Sequence, residues 1–239
     1  MPPRPQLTHF LCLPLVNSST RPQWQASIQR FTAEVSGPDV PEESRLSPKA
    51  IRPVGAIHLT LGVMSLLTPE RVEAACTFLR SLDMSAILRT ANDTSPNALD
   101  AVTFRGLEAM SSPSRTSVLY AATNAYAAAL LPFSTYLRKA FTVEGFMVPE
   151  DRDLKIHATV VNTIYARETK SGKKRWGKGS GKFDATELVQ KYKDWEWVKD
   201  MRIENVAICK MGAENIVEGD ALVDQVYTEV ASVPLVYGD

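Results

Sequence analysis

Apolar and polar positions follow two different periods along this chain of 239 residues. Segments in which apolar residues alternate with polar ones, or form short apolar runs, predict strands, and segments in which apolar residues recur every three or four positions predict helices. Both kinds of segment alternate along the chain, which favours a mixed α+β fold. Strands are predicted at 9–16, 56–66, 100–110, 117–123 and 154–166, with two more in 197–213 and 221–237.

Four helical segments are predicted between the strands. The clearest is 68–82, because Thr68 can cap its first turn and Pro69 suits the position after the cap. Pro132 lies inside the helical pattern of 125–141 and predicts a kink or a break there. The other helices are predicted at 21–35 and 186–195, and composition predicts loops at 37–55 and 89–97.

The composition is that of an ordinary soluble protein, with 44% hydrophobic and 23% charged residues. Lysine plus arginine and aspartate plus glutamate both number 27, so the net charge predicts no polyanionic partner. No interior stretch has the composition of a linker, and a mixed α/β domain can reach this length. We therefore expect a single domain over residues 1–239.

Cysteine usage and the first residues indicate an intracellular protein. Cys12, Cys76 and Cys209 are far apart and form no CxxC motif, which favours reduced thiols and argues against a structural zinc site. The apolar run at 10–16 is too short to span a membrane and is not followed by a cleavage pattern. We expect a nuclear or cytoplasmic location, or both, and no membrane partner.

Two short stretches of the chain, IHLTL and IHATV, nearly repeat each other. Their histidines, His58 and His157, are each followed two positions later by a threonine. These threonines are Thr60 and Thr159. Because side chains at i and i+2 of a strand point the same way, each histidine shares one face with its threonine, and apolar residues take the other face. Two imidazoles and two hydroxyls would then surround one space if both strands border the same cleft.

This set of groups suits attack at phosphorus without a metal. A neutral histidine can take a proton from water or a ribose hydroxyl, and a protonated one can give a proton to the leaving oxygen. The ordinary histidine pKa of about 6.5 lets both forms coexist near neutral pH. Threonine hydroxyls can donate hydrogen bonds to the non-bridging phosphate oxygens. No carboxylate cluster suggests a magnesium site, so we expect neither a metal nor another cofactor.

A structural role is the alternative for each of these residues. A single histidine in an alternating strand is most often structural, and threonine is common in strands. The matching copies contain two of the three histidines in the chain, and this recurrence favours function. The third, His9, has Leu11 rather than threonine two positions later, so a structural role is favoured for it.

The paired motifs resemble those of the 2H phosphoesterase superfamily, which includes the LigT-type RNA cyclic phosphodiesterases. Within it, the chain is most similar to the central domain of gamma-type A-kinase anchoring proteins and to the phosphoesterase domain of a subunit of the activating signal cointegrator complex. The resemblance covers most of the chain. Its residues are HFLCLPL (9–15), HLTLGVMSL (58–66), FRGLEAM (104–110), VLYAAT (118–123), KIHATVVNT (155–163) and FDA (183–185).

The resemblance implies a bilobal α+β fold, with two antiparallel sheets lining a V-shaped cleft and helices outside. It implies His58 and His157 as the catalytic residues, and Thr60 and Thr159 as phosphate ligands. The expected activity is metal-independent cleavage of RNA ends, cyclic phosphates or short oligoribonucleotides, and the expected ligand is RNA or a ribonucleotide. The cointegrator resemblance suggests a transcription or RNA-processing complex as a partner. Kinase anchoring is not carried over, because 221–237 alternates like a strand.

A basic loop follows the second histidine strand. Residues 167–182 contain seven basic residues, one acidic residue and four glycines. A solvated loop or a nuclear-import patch is one interpretation, and an RNA-gripping flap is the other. Tyr165 would border the cleft if the strand continues that far. The candidate RNA contacts are Tyr165, Arg167, Lys173, Lys174, Arg175 and Trp176.

Three functions remain open from the sequence, and the last of them is a protein scaffold whose cleft is vestigial. The first is a two-histidine phosphodiesterase, and the second is a non-catalytic nucleotide- or RNA-binding adaptor that uses the same cleft. Two intact motifs favour the enzyme, since an adaptor does not need both imidazoles.

Overall fold

The structure, a computed structural model, describes residues 5–92, 99, 101–123, 129–166, 181–219 and 221–237. Within these ranges the strands are β1 (His9–Pro14), β2 (His58–Met64), β3 (Val102–Ala109), β4 (Val118–Thr123), β5 (Ala158–Asn162), β6 (Glu196–Met201), β7 (Asn205–Lys210), β8 (Glu214–Glu218), β9 (Ala221–Val226) and β10 (Glu229–Pro234). The helices are α1 (Arg21–Ser36), α2 (Pro69–Ser81), α3 (Met84–Asn92), α4 (Leu130–Val143) and α5 (Thr186–Lys191).

Eight of these strands form one antiparallel sheet, and β8 pairs with β9 in a separate hairpin. The order in the large sheet is β10–β7–β1–β2–β5–β4–β3–β6. Its two halves meet at the histidine strands, where Leu59 of β2 pairs with Ala158 of β5. The α+β class expected from the sequence is confirmed, and the two expected sheets are the halves of this single sheet.

The core lies on the face of the sheet opposite the histidines. Leu59 and Leu61 of β2 are buried, whereas His58 and Thr60, which alternate with them, are only partly buried. Helix α1 supplies a buried stripe at the spacing of an amphipathic helix. The stripe consists of Trp24, Ser27, Ile28, Phe31 and Val35. The apolar residues of the first histidine strand therefore anchor it, and its polar side chains are left facing the cleft.

Helix α2 confirms the capping signals. It begins at Pro69, and the backbone N–H of Arg71 donates to the Thr68 hydroxyl at 3.4 Å. Helix α4 begins at Leu130, so Pro132 lies in its first turn, where a missing backbone N–H breaks no helical hydrogen bond. The kink or break expected at this proline is therefore wrong. Residues 125–128 of that predicted helix lie outside the described part of the chain.

Three other boundaries differ from the expectations. Helix α3 occupies residues 84–92, so the predicted loop at 89–97 begins later, and 93–98 lies outside the described residues. The hairpin adds β8 at 214–218, a strand that was not predicted. The second histidine strand ends at Asn162, and a 3-10 turn covers Thr163–Ala166. Among the described helices, none has both the length and the apolar content needed to cross a bilayer.

Candidate active site

The register between β2 and β5 gathers the two His-x-Thr motifs on one face. Leu59 pairs with Ala158, and this antiparallel register, continued by one residue each way, puts His58 opposite Thr159 and Thr60 opposite His157, the residue just before β5. Residues directly opposite each other on paired strands share a face and are the closest cross-strand neighbours. The two motifs are 99 residues apart in the chain, and their two imidazoles and two hydroxyls thus form one polar patch.

Backbone carbonyls fix the orientation of both rings. The Nδ1–H of His58 donates to the Ala56 carbonyl at 2.9 Å, and the Nδ1–H of His157 donates to the Lys155 carbonyl at 2.7 Å. A carbonyl can only accept, so Nδ1 carries the proton in each neutral ring. The Nε2 atom of His58 lies 2.9 Å from the Thr60 hydroxyl, which donates to it. Both rings therefore keep Nε2 available for proton transfer.

Burial keeps both histidines in the neutral form. Desolvation is the main cause that lowers the pKa of His58 to about 4; the Ala56 carbonyl opposes it, and the nearby charges of Arg52 and His157 act in the same direction as desolvation. Burial also lowers the pKa of His157, and the charge of Lys155 acts in the same direction. His58 has the more strongly depressed pKa, so its ring stays unprotonated over a wider pH range than that of His157.

Aromatic side chains enclose the two imidazoles. The ring of Phe10 on β1 lies 4.9 Å from that of His58, and the ring of Tyr227 meets His58 edge-on at 5.1 Å. On the other side, Tyr120 of β4 meets His157 edge-on at 5.7 Å. These rings remove water from the histidines, which accounts for the depressed pKa values.

Tyr120 is held as a neutral phenol next to His157. Its hydroxyl donates to the Glu108 carboxylate, and burial and this carboxylate raise its pKa. The Nζ atom of Lys155 lies 4.8 Å from the centroid of its ring. Because the hydroxyl is engaged with Glu108, Tyr120 acts on His157 through packing.

The structure describes one of the candidate RNA contacts. Tyr165 lies in the turn after β5 rather than on the strand, so the predicted strand continuation is wrong. Its ring nevertheless lies 4.1 Å from the Cζ atom of Arg52, and the side chain is 48% exposed. The remaining contacts stay predictions, because they lie outside the described residues. They are Arg167, Lys173, Lys174, Arg175 and Trp176.

Sequence reasoning missed four residues around the histidines. Phe10 stands in an almost wholly apolar run that gives no indication of its face, and Tyr227 stands between two strands. Tyr120 belongs to an apolar strand, VLYAAT, and Arg52 to a proline-rich loop. Tyr120 pairs directly with Thr159, and this pairing between β4 and β5 is what places it beside the histidines.

A contact from the small hairpin supports the segment that precedes His58. The Asp224 carboxylate accepts from the Gly55 backbone N–H at 2.8 Å and from Arg21 Nη1 at 2.7 Å. Gly55 lies in the 3-10 turn Val54–Ala56, whose last carbonyl binds the His58 ring. A Cβ atom on Gly55 would lie 2.6 Å from the Gln225 carbonyl oxygen. Glycine is therefore required for close approach of the two backbones.

We expect Gly55→Ala to separate the hairpin from this turn. Overpacking at such a site costs about 1–3 kcal/mol, and the turn that holds His58 would move with it. A lower melting temperature together with weaker nucleotide binding is the expected result. Gly145→Ala is the matched control, because a Cβ atom there meets nothing within 4 Å, although its φ of +70° makes alanine mildly strained. An equal loss of binding in the control would contradict the assignment.

His58 also predicts a change of stability with pH. Its pKa is about 4 in the folded protein and 6.5 when unperturbed, so between these values the unfolded chain binds the proton and the folded one does not. The contribution of the neutral His58 ring to the free energy of unfolding is fully present above pH 6.5 and is lost as the pH falls towards 4. We expect the free energy of unfolding to be lower by about 2 kcal/mol at pH 5.0 than at pH 7.5 from this residue alone.

Urea unfolding of the wild type and His58→Gln at both pH values measures this contribution. The wild type loses stability on acidification, and the variant loses about 2 kcal/mol less. The matched variant His157→Gln removes the other histidine of the patch and leaves the His58 contribution in place. An identical pH dependence in the wild type and His58→Gln would show that His58 is not desolvated.

In the part of the chain that the structure describes, no three His, Cys, Asp or Glu side chains form a group suited to a metal ion. The patch itself contains two imidazoles that are neutral with Nδ1 protonated, and two threonine hydroxyls.

An antiparallel sheet whose two central strands each bring a His-x-Thr motif to one face is the arrangement of the 2H phosphoesterase superfamily. The sequence model of the AKAP7 2'5' RNA ligase-like domain matches residues 7–234, nearly the whole chain. The protein belongs to this family within the 2H phosphoesterase superfamily.

The chain is also similar to individual proteins. The chain is 24% identical over 182 residues to an uncharacterized protein of Schizosaccharomyces pombe, covering 76% of this chain and 78% of the relative. A phosphoesterase crystal structure superposes with a TM-score of 0.51 at 15% identity, over 98% of this chain and all of the other, which shows the shared fold. E. coli LigT complexed with 3'-AMP gives a TM-score of 0.48 at 13% identity, over 97% and 99% of the two chains.

Proposed function

We propose that this protein is a metal-independent phosphodiesterase that acts on RNA ends, cyclic phosphates or short oligoribonucleotides. One observation carries the proposal: both histidines donate Nδ1–H to a backbone carbonyl, so in both rings Nε2 is the unprotonated nitrogen, and the Nε2 of His58 faces the Thr60 hydroxyl. This is the arrangement that acid–base catalysis at phosphorus requires.

In the proposed reaction, the scissile phosphate lies over the patch and accepts hydrogen bonds from Thr60 and Thr159. The Thr60 hydroxyl turns from His58 to a non-bridging oxygen, which frees the Nε2 lone pair of His58. His58 then takes a proton from the attacking water as its oxygen bonds to phosphorus. The bond from phosphorus to the leaving ribose oxygen breaks, and His157 donates its Nε2 proton to that oxygen. For this step His157 must be protonated, and the bound phosphate anion raises its pKa in that direction.

The same proton transfers allow a ribose hydroxyl to replace water as the nucleophile. His58 would then take the proton from the 2′-hydroxyl as its oxygen bonds to the adjacent 3′-phosphorus. A 2′,3′-cyclic phosphate would form, and the bond from phosphorus to the 5′ oxygen of the following nucleotide would break, with His157 protonating that oxygen. Linkage and base preference depend on contacts beyond the four patch residues. The proposal therefore covers the cyclic phosphate, 2′–5′ and 3′–5′ substrates together.

Turnover in EDTA tests the proposal. Three substrates are incubated with the protein: a 2′,3′-cyclic nucleotide, a 2′–5′ oligoadenylate and a short RNA with a free 3′ end. Cleavage of at least one of them in EDTA is the expected result, with products resolved by chromatography. Activity that depends on an added divalent cation would contradict the two-histidine mechanism.

The depressed pKa of both histidines favours one alternative function. With both imidazoles neutral, the free protein has little of the acid form at neutral pH, which suits a cleft that binds nucleotides without cutting them. Nucleotide binding by calorimetry together with no turnover of the three substrates would identify such an adaptor.

A further inference from the structure

One charged residue beside the histidines has no part in the proton transfers. Arg52 is only 5% exposed, yet it lies close enough to His58 for its charge to lower the His58 pKa. Its Nη1 atom donates to Gln225 Oε1 at 3.3 Å, and its Nη2 atom donates to the Tyr227 hydroxyl at 3.4 Å. The Tyr165 ring covers the guanidinium. All of these partners are neutral.

No carboxylate of the described residues lies within 4.0 Å of this guanidinium. Asp224, the hairpin carboxylate next to Gln225 in the chain, is paired with Arg21 at 2.7 Å. A buried charge without a counter-ion is costly, and long hydrogen bonds to neutral oxygens compensate for it only partly. Arginine is a permanent cation whose planar fork fits a phosphate, so an anion at this position would complete the site.

The backbone shows how Arg52 is placed relative to the histidine patch. Its N–H donates to the Val160 carbonyl at 2.8 Å, whereas the centre of the patch is at Ala158, opposite Leu59. Val160 and Ala158 are two residues apart on β5, which corresponds to about 6–7 Å along the backbone. Tyr227 contacts both His58 and Arg52, which shows that the two side chains lie on the same side of the sheet.

This offset is on the scale of the separation between successive phosphates in a single strand of RNA. The patch already provides two imidazoles and two hydroxyls for the scissile phosphate. A phosphate one step along the strand from the patch would therefore lie within reach of the Arg52 side chain, and the half-exposed ring of Tyr165 beside it offers a stacking face for a base.

We propose that Arg52 and Tyr165 form a second phosphate subsite next to the histidine pair, so that the preferred ligands are ribonucleotides with a second phosphate adjacent to the one held by the histidines. The inference rests on the proposed function for the location of the scissile phosphate. It narrows the substrate class to oligoribonucleotides and end-phosphorylated ribonucleotides, and it disfavours an isolated cyclic mononucleotide.

Binding tests the subsite without any requirement for turnover. The probes are adenosine 3′,5′-bisphosphate, adenosine 3′-monophosphate and adenosine 5′-monophosphate, titrated by calorimetry in EDTA. We expect the bisphosphate to bind about ten- to a hundred-fold more tightly than either monophosphate to the wild type. Arg52→Gln removes that advantage, and Arg52→Lys retains part of it, because a lysine keeps the charge but not the fork.

Two results would overturn the subsite. One is a wild-type protein that binds the bisphosphate no more tightly than the monophosphates. The other is an Arg52→Gln variant that loses the same factor for all three ligands, which would assign Arg52 to the histidine-bound phosphate or to structure. Thermal melting of each variant shows whether it is folded, and Tyr165→Ala provides a second test at an exposed position. Its expected effect is weaker binding of all three adenosine ligands with an unchanged bisphosphate advantage.

A turnover arm distinguishes the two sources of the second phosphate and separates this inference from the proposed function. The substrates are a diadenosine monophosphate, the same dinucleotide with a 5′-terminal phosphate, and the triadenosine diphosphate. A higher kcat/KM for the 5′-phosphorylated dinucleotide than for the plain dinucleotide identifies the second phosphate as an end phosphate. A higher kcat/KM for the trinucleotide alone identifies it as the next diester. If neither these substrates nor the 2′,3′-cyclic nucleotide is cut in EDTA but the Arg52-dependent bisphosphate advantage is present, the proposed function fails and the subsite stands.

Discussion

His58→Ala and His157→Ala are each expected to lower kcat about 10²- to 10⁴-fold, the usual contribution of a positioned acid or base. Each substitution removes one proton-transfer group and leaves the other three members of the patch in place. KM is expected to change much less, because the threonine hydroxyls still hold the phosphate. Steady-state kinetics on the substrate cleaved in EDTA measures both constants, and the double variant should be little slower than the slower single variant, since the two residues act as a unit.

The third histidine provides the matched control for this prediction. His9 is buried at the start of β1, with Nδ1 2.9 Å from the Thr8 hydroxyl and no role in the patch. His9→Ala is expected to lower the melting temperature and to leave kcat within about threefold, as for a substitution away from the reacting groups. A hundred-fold loss in this control, or full activity in either patch variant, would show that the two-histidine mechanism is wrong.

The chemistry of the site could be predicted because it is local. Two copies of His-x-Thr in segments of period two are enough to put each imidazole beside a hydroxyl on the polar face of its strand. The same alternation predicted that Leu59 and Leu61 would be buried, and the structure confirms this. Nothing beyond nearest neighbours along a strand was needed for these inferences.

The assembly of the site depends on long-range pairing that has no local signal. The Leu59–Ala158 pair brings together strands that are distant in the chain, and the sequence predicts each strand without predicting their partner. For the same reason Tyr227 could not be placed beside His58 before the link between β9 and β10 was known. Tertiary pairing, rather than propensity, selects these neighbours.

Arg52 shows most clearly where sequence reasoning ends. An arginine in a loop with several prolines is expected to be solvated, because long charged side chains are rarely buried. Here a single β-bridge between Ile51 and Val161 joins the loop to β5. It places Arg52 in contact with Tyr165 and Tyr227. Its burial follows from the fold, and its function as a phosphate ligand could be inferred only after its neutral partners were known.

The pH dependence of kcat/KM is the second prediction with a large expected effect. This constant reports the pKa values of the free enzyme's base and acid. With His58 as the base, activity rises as pH increases through about 4. With His157 as the acid, it falls as that ring deprotonates, and burial sets this pKa below 6.5. The optimum is therefore expected between about pH 4 and 6.5, with a loss of roughly tenfold per pH unit on the alkaline side.

Kinetics from pH 3.5 to 9 in EDTA measure this profile, with circular dichroism at each pH to separate inactivation from unfolding. The variants assign the two limbs, because a residual activity in His58→Ala should lack the acidic limb and one in His157→Ala should lack the alkaline limb. An optimum at pH 8 or above would mean that His157 is not the acid. A different group would then protonate the leaving oxygen, and neutral Tyr120, which packs edge-on against His157 and has a raised pKa, would be the first residue to replace with phenylalanine.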